Sequence, residues 1–187
     1  MSAAFELDRF KHACREALTE STPQSVAREI VARAVSEPAA LLAALGEPTR
    51  ATVQALHHSE DLTILNVIWA PRMTIMPHDH AMWAVIGIYA GREDNRFWRR
   101  LDEPGGRIEA AGSRSIDQRE AVSLGRDIIH SVTNPTPRLT GALHVYGGDF
   151  FKAARKEWDP DTLLEQPYDI AKALRLFEEA NASRSRA

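Results

Sequence analysis

Residues 62–90 read LTILNVIWAPRMTIMPHDHAMWAVIGIYA, in which two apolar runs, 62–69 and 84–89, flank the polar triplet HDH at 78–80. Both runs are rich in branched apolar residues and are bounded by turn-forming residues, a pattern typical of buried strands. In an extended chain, residues i and i+2 project from the same face. The two histidines of the triplet therefore face the same way and can bind one transition-metal ion.

Short segments with strand character continue beyond this stretch, at a spacing of about 8–12 residues. They are 96–100, 107–109, 119–123, 127–131 and 139–146. Turns are predicted over Glu93, Asp94 and Asn95 and over 104–106, where polar residues or glycines cluster. Since no long helical pattern interrupts these segments, the sequence favours an all-β sandwich or barrel over a parallel βαβ fold.

Helical periodicity is confined to the two ends of the chain. We expect one domain over 1–187, in which 1–46 form a helical N-terminal extension and 51–150 form the β-barrel. A further helix is expected at the C-terminal end, over 168–181, where apolar residues share one face. These helices are predicted to pack against the barrel.

Composition limits the classes of partner. The 187 residues carry a net charge of −3 with a pI of about 6.2, so bulk charge gives no support for a nucleic-acid partner. Cys14 is the only cysteine, which excludes an intrachain disulfide and a cysteine-based zinc site. The N-terminus is acidic where a signal peptide is basic, and the longest apolar stretch, 81–90, is far shorter than the roughly 18–20 residues of a membrane span. We therefore expect a cytoplasmic protein with no membrane partner.

The seven histidines are not equivalent. Three of them are expected to be surface or structural residues: His12, His57 and His58. His130 differs, because it lies in a strand-like segment that begins after Gly125 and is followed four residues later by Asn134 and Pro135. Together with the histidine pair at 78–80, it supplies a third imidazole for one metal ion.

These residues resemble the two metal motifs of the cupin superfamily, whose fold is a double-stranded β-helix barrel. The first cupin motif has two histidines one residue apart, then a glutamate, then a glycine. The histidines and Gly87 match, but the glutamate positions hold Ala84 and Val85. The second motif's histidine and asparagine match His130 and Asn134.

The resemblance implies His78, His80 and His130 as the metal ligands, without the fourth protein ligand of many cupins. Three neutral imidazoles leave a divalent metal with its full charge and with open coordination positions. Such a site favours a substrate that brings its own negative donor, such as a thiolate. A structural or hydrolytic three-histidine zinc site is the rival interpretation.

The segment ALHVY at 142–146 sharpens the resemblance, because His144 and Tyr146 alternate onto one face and can hydrogen-bond each other. The chain from about 64 to 146, with Trp69, resembles the thiol dioxygenase family, which comprises cysteine dioxygenase and 3-mercaptopropionate dioxygenase. That family carries a His-x-His pair, a distant third histidine and then Ser-x-His-x-Tyr. The resemblance implies one Fe(II), O₂ as co-substrate, and oxidation of a small thiol to a sulfinate, with His144 and Tyr146 as catalytic residues.

Two positions depart from that family. Its serine in the Ser-x-His-x-Tyr segment is Ala142 here, so one hydrogen bond behind His144 is lost or replaced. Val85 stands where the animal cysteine dioxygenases have a crosslinking cysteine, so that crosslink cannot form.

A thiol acid needs a partner for its carboxylate, and arginine matches a carboxylate with two parallel hydrogen bonds. Arg155 follows Tyr146 by nine residues and resembles the downstream arginine of the mercaptopropionate branch. Arg50 and Gln54 are upstream candidates for the same role, and Trp83 could line the pocket or lie in the core.

Other functions remain open from the sequence. A metal-dependent cupin could instead cleave a carbon–carbon bond, act as an isomerase, or bind a metal or ligand without catalysis. The expected partner is a small thiol such as 3-mercaptopropionate, cysteine or a mercapto-dicarboxylate. An exposed sheet edge could support a homodimer.

Overall fold

The computed structural model describes residues 4–184, so residues 1–3 of the predicted helical extension and residues 185–187 lie outside the described part. The described helices are α1 (Leu7–Ala17), α2 (Pro23–Val35), α3 (Pro38–Leu45) and α4 (Ile170–Arg184). The strands up to the middle of the chain are β1 (Thr52–His58), β2 (Thr63–Trp69), β3 (Thr74–His78), β4 (Ala84–Ala90), β5 (Arg92–Arg100) and β6 (Ile108–Asp117). The later strands are β7 (Ala121–Leu124), β8 (Ile129–Thr133), β9 (Thr140–Tyr146), β10 (Lys156–Trp158) and β11 (Glu165–Pro167).

The strands form two antiparallel sheets that enclose a common apolar core. One sheet has the order β1-β2-β9-β4-β7 and the other the order β11-β10-β3-β8-β5-β6. The four-strand sets β2-β9-β4-β7 and β3-β8-β5-β6 are the two halves of an eight-stranded jelly roll, which is the double-stranded β-helix. The cupin-type barrel with N-terminal helices and a C-terminal helix, predicted from the sequence, is confirmed.

The central strands of the first sheet, β2, β9 and β4, are buried on both faces, which explains why they consist mainly of apolar residues. Every residue of β2 and β9 is buried. Along β2, Leu65 and Val67 pack in the barrel core, while Ile64 and Ile68 pack with the N-terminal helices. Each such side chain contributes about 1.5–3 kcal/mol when it is fully buried. The N-terminal helices are therefore an outer packing layer on this sheet.

Gly87 lets helix α2 approach strand β4 closely. A Cβ atom built on Gly87 would overlap the Val31 side chain and lie 2.9 Å from Val35 Cγ1, and both valines are fully buried. The glycine that matches the first cupin motif therefore serves helix packing in this chain.

The substitution Gly87→Ala should destabilise the protein by about 1–3 kcal/mol, because the added methyl overpacks the contact between α2 and β4. The urea midpoint of unfolding measures this cost. The matched control is Gly125→Ala, whose new Cβ would lie 3.9 Å from its nearest neighbour, Ile128, and should change stability by less than about 0.5 kcal/mol. Equal midpoints for the two variants would show that α2 does not pack tightly against β4 at Gly87.

The turn predicted over Glu93, Asp94 and Asn95 is wrong. Strand β5 runs unbroken through these residues, and the chain reverses earlier, at Gly91, whose φ is 78°. Glu93 and Asn95 are buried, whereas Asp94 is partly exposed and pairs with Arg92. Three consecutive polar residues favour a turn by composition, but buried polar partners stabilise them in a strand here.

Two short strands that the sequence did not predict, β10 and β11, extend the second sheet beyond β3. Helix α4 follows directly, and its Ala173 and Phe177 pack into the barrel core. The buried Glu157 carboxylate holds this segment, because it accepts hydrogen bonds from Lys172 Nζ at 2.7 Å and from the Asp169 backbone N–H at 3.1 Å. None of the four described helices has the length and hydropathy needed to cross a membrane.

Candidate metal centre

Three buried histidines converge inside the barrel. His78 ends β3 and lies opposite His130 of β8 in the strand register, while His80 follows β3 by two residues. The possible ligand atoms of the three imidazoles all lie within 4.8 Å of one another, and Nε2 of His80 is 3.2 Å from Nε2 of His130. Imidazole nitrogens bound about 2.0–2.1 Å from one metal ion approach each other to a similar distance. The arrangement therefore fits a single metal ion.

Hydrogen bonds orient two of these rings. Nδ1 of His78 lies 2.9 Å from the Met76 carbonyl oxygen, which can only accept, so this nitrogen carries the proton. Nδ1 of His130 lies 2.7 Å from the side-chain oxygen of Asn95 and donates in the same way. Both rings are thereby held with an unprotonated Nε2 free for a metal. Nδ1 of His80 has no hydrogen-bond partner among the described residues.

Burial keeps all three imidazoles neutral at neutral pH. Loss of solvation is the largest cause in each case, and it lowers the pKa of His78 to about 4 and the pKa values of His80 and His130 well below the usual range. The Arg155 guanidinium and the neighbouring imidazoles lower these pKa values further for His78 and His80. Neutral imidazoles are the form that binds a metal, so the donor set fits one.

The metal-free protein should lose stability as the pH falls from about 6.5 to 4. Within this window the unfolded chain binds a proton at position 78 and the folded chain does not, so the free energy of unfolding rises with pH. For His78 alone the loss at pH 5 is about 2 kcal/mol. Urea unfolding of metal-free protein at a series of pH values measures this slope.

The slope should be shallower in His78→Gln, which has no titrating group at that position. The control is His12→Gln, since His12 is an exposed residue of α1 and should leave the slope unchanged. If His78→Gln and the parent protein have the same slope between pH 4 and 6.5, His78 is not held neutral by burial.

A chain of polar contacts runs from the cavity into the barrel wall. The Tyr146 hydroxyl lies 2.9 Å from Nδ1 of His144, and Nε2 of His144 lies 3.5 Å from Oε1 of Glu93. The same carboxylate oxygen accepts a hydrogen bond from Nε1 of Trp69 at 2.5 Å. The Tyr146 and His80 ring centroids are 5.1 Å apart. Burial raises the pKa of Tyr146, so its hydroxyl is protonated at neutral pH.

The cavity in front of the three histidines is small and mainly apolar. Its volume is about 50 Å³, which admits a ligand of only a few non-hydrogen atoms. Strands β2, β3 and β8 form its wall with Leu65, Val67, Ile75 and Val132. Further lining comes from Val53, Trp69, His144 and Tyr146, from Phe150 and Phe151, and from the segment 168–177, which includes Tyr168 and residues of α4.

Arg155 lies close enough to this centre for its charge to lower the pKa of His78 and His80, although it is not one of the residues that line the cavity. Its side chain is 5% exposed and lies between the rings of Phe150 and Tyr168, with the guanidinium carbon 4.0 Å from each ring centroid. Its Nε and Nη1 atoms are buried and have no hydrogen-bond partner among the described residues. A buried cation with free donors is a site for an anion, because leaving such groups unpaired is costly.

The other substrate-binding candidates lie away from the cavity. Arg50 is exposed and pairs with Glu178 on the surface at 3.3 Å. Gln54 is an exposed residue of β1 that accepts a hydrogen bond from Asn66. Trp83 packs beside the N-terminal helix layer, in contact with Gly147. None of these three residues lines the cavity of the described chain.

Sequence reasoning did not find three residues of the centre. The sequence predicts a turn at Glu93 and Asn95, and their two-residue spacing is the one signal that would place them together on one face of a strand. Tyr168 lies outside any motif, and its ring centroid is 5.8 Å from that of His78. Each of these residues contacts a predicted site residue through the tertiary fold.

No family model matches the chain. The chain is similar to a solved protein with a double-stranded β-helix domain from Klebsiella pneumoniae, at 10% identity and a TM-score of 0.46, covering 62% of this chain and 87% of that one. It is also similar to an RmlC-like cupin from Methanocaldococcus jannaschii, at 11% identity and a TM-score of 0.45, covering 57% and 88%. A complex of oxalate oxidase with glycolate gives 17% identity and a TM-score of 0.41, covering 55% and 53%. The assignment of the fold rests on the strand order, and that of the site on its geometry.

Proposed function

We propose that the protein is an iron-dependent thiol dioxygenase that converts a small thiol carboxylate to its sulfinate. Both atoms of O₂ are added to the sulfur, so the sulfur is oxidised and O₂ is reduced without a further co-reactant. The observation that carries the proposal is the buried guanidinium of Arg155, whose Nε and Nη1 have no hydrogen-bond partner among the described residues, near three neutral imidazoles and the Tyr146–His144 pair.

The charge of the centre supports a dianionic substrate. With three neutral ligands, a bound divalent metal keeps its full charge, and Arg155 adds another positive charge in the same buried region. A thiol carboxylate bound as thiolate supplies two negative charges at its two ends. The small cavity also favours a short substrate over the larger substrates of many carbon–carbon-cleaving enzymes.

The cavity favours a thiol acid without an amino group. Among the residues of 4–184 that line it, none is acidic, so the ammonium group of cysteine would lack a counter-charge there. The apolar walls suit a plain methylene chain. This points to 3-mercaptopropionate rather than cysteine as the substrate class.

The roles of the chain's residues follow from their positions. His78, His80 and His130 would hold Fe(II), which when bound supplies the redox chemistry that couples thiol and O₂. Arg155 binds the carboxylate and thereby orients the chain of the substrate. Tyr146, held by His144, presents a hydroxyl group beside His80, where the reacting sulfur would lie.

Oxygen consumption by the Fe(II)-loaded protein is the first test. We expect uptake of O₂ with 3-mercaptopropionate, a lower kcat/KM with cysteine, and a lower kcat/KM with cysteamine, which has no carboxylate. Mass spectrometry should show a product heavier than the thiol by two oxygen atoms. If the iron-loaded protein consumes no O₂ with any of these thiols, or with mercaptosuccinate, thiol oxidation is not its reaction.

Replacing Arg155 separates carboxylate recognition from the chemistry. In Arg155→Gln we expect KM for 3-mercaptopropionate to rise about 10- to 100-fold, because a charge-assisted hydrogen bond is lost. KM for cysteamine should stay the same, since that substrate makes no such bond. The control is Arg50→Gln, a surface substitution with no contact to the cavity. An unchanged KM for 3-mercaptopropionate in a folded, iron-loaded Arg155→Gln protein would exclude Arg155 as the carboxylate site.

A further inference from the structure

The interior face of strand β5 supplies a polar partner to two functional histidines. Asn95 accepts a hydrogen bond from His130, one of the metal-ligand candidates. Glu93, two residues earlier on the same face, lies beside His144, which is the partner of Tyr146. Glu93 is fully buried. A buried carboxylate is costly to keep unless its neighbours compensate its charge, so its position at His144 calls for an explanation.

We propose that Glu93 is a positioning residue that sets the tautomer of His144 and, through it, the direction of the Tyr146 hydroxyl. The effect of Glu93 on catalysis rests on the proposed function, whereas its effect on the His144 tautomer does not. It also accounts for Ala142, which stands where the resembled family has a serine behind the histidine. The contact behind His144 comes from the carboxylate of Glu93, on a strand of the opposite sheet.

The proton positions follow from what each neighbour can donate. Nε2 of His144 makes no hydrogen bond among the described residues, and the polar atom that it faces is Oε1 of Glu93, at 3.5 Å. Because a carboxylate oxygen can only accept, Nε2 is the nitrogen that carries the proton in the neutral ring. Nδ1 is then an acceptor, and the Tyr146 hydroxyl at 2.9 Å donates its proton to it. With its proton directed at His144, the Tyr146 oxygen keeps its lone pairs as its remaining hydrogen-bonding capacity.

Trp69 keeps the carboxylate in place. Its Nε1 donates to Oε1 of Glu93 at 2.5 Å, and the same oxygen is the one that faces His144. Oε2 of Glu93 has no hydrogen-bond partner among the described residues. Among these residues, His144 is also the single ionisable base within ion-pair distance of Glu93. The carboxylate is therefore directed at one imidazole.

The first experiment measures the tautomer in the metal-free protein by NMR of ¹⁵N-labelled histidine. We expect the His144 proton on Nε2, with the signal assigned by its loss in His144→Gln. In Glu93→Gln the amide oxygen can still accept from Trp69 and face His144, but it carries no charge and therefore stabilises a proton on Nε2 less than the carboxylate does. The His144 proton should then shift towards Nδ1. A proton on Nδ1 in the parent protein would overturn the proposal even if no variant folds.

The second experiment asks whether Glu93 acts through Tyr146. We expect Glu93→Gln to lower kcat for 3-mercaptopropionate by about 10- to 100-fold, as is common for residues that orient functional histidines, while its KM changes little. In a Tyr146→Phe background the same substitution should have almost no further effect. Equal fold-losses of kcat in the two backgrounds would mean that Glu93 acts by another route, and the proposal would be wrong.

Asp94→Asn is the matched control, because it removes a carboxylate charge from the same strand. The Asp94 side chain pairs with Arg92 and not with His144. It should change neither the His144 tautomer nor kcat. The two experiments also separate this proposal from the proposed function. If Glu93→Gln shifts the tautomer but the parent protein oxidises no thiol, the role of Glu93 at His144 stands and the proposed reaction is wrong. If the parent protein oxidises thiols but Glu93→Gln does not shift the tautomer, the reaction stands and the role of Glu93 is wrong.

Discussion

The centre depends on the antiparallel pairing of β3 with β8, which places His78 directly opposite His130. The register shifts between Ile75 and His78, so the last residue of β3 is brought back into line with its partner. His80 then reaches the same point after two more residues. Because side chains alternate along strands, a register change of one residue would turn these imidazoles away from each other. The convergence of the three histidines is therefore a consequence of the sheet register.

The burial of these three rings also favours the neutral form of imidazole, which is the form that binds a metal. In the apolar barrel the protonated imidazole is disfavoured, and this lowers the pKa of His78, His80 and His130. The cost appears as lower stability in the metal-free protein at mildly acidic pH. A bound metal would raise the free energy of unfolding again, because it binds the folded chain and not the unfolded one.

The fold could be predicted because its strands carry strong local signals. The runs at 62–69 and 84–89 and the triplet at 78–80 identify a barrel and two of its metal-ligand candidates, and the local context of His130 adds the third. Glu93 could not be placed in this way. Its polar neighbours favour a turn, and only the tertiary positions of His144 and Trp69 make a buried strand stable there.

Arg155 is a second residue whose position the sequence could not predict. Arg155, Arg50 and Gln54 were comparable candidates in the sequence, because the need for a carboxylate partner does not say which side chain is buried. The segment after β9 folds back so that Phe150 and Tyr168 enclose the guanidinium of Arg155, while Arg50 remains at the surface with Glu178. The aromatic rings cover the faces of the guanidinium and leave its edge for hydrogen bonds. Two of its nitrogens lack partners within the described chain, and this is why Arg155 is the residue proposed to bind the carboxylate. The proposed specificity for an acid therefore depends on how this segment packs against the barrel, which local sequence patterns do not reveal.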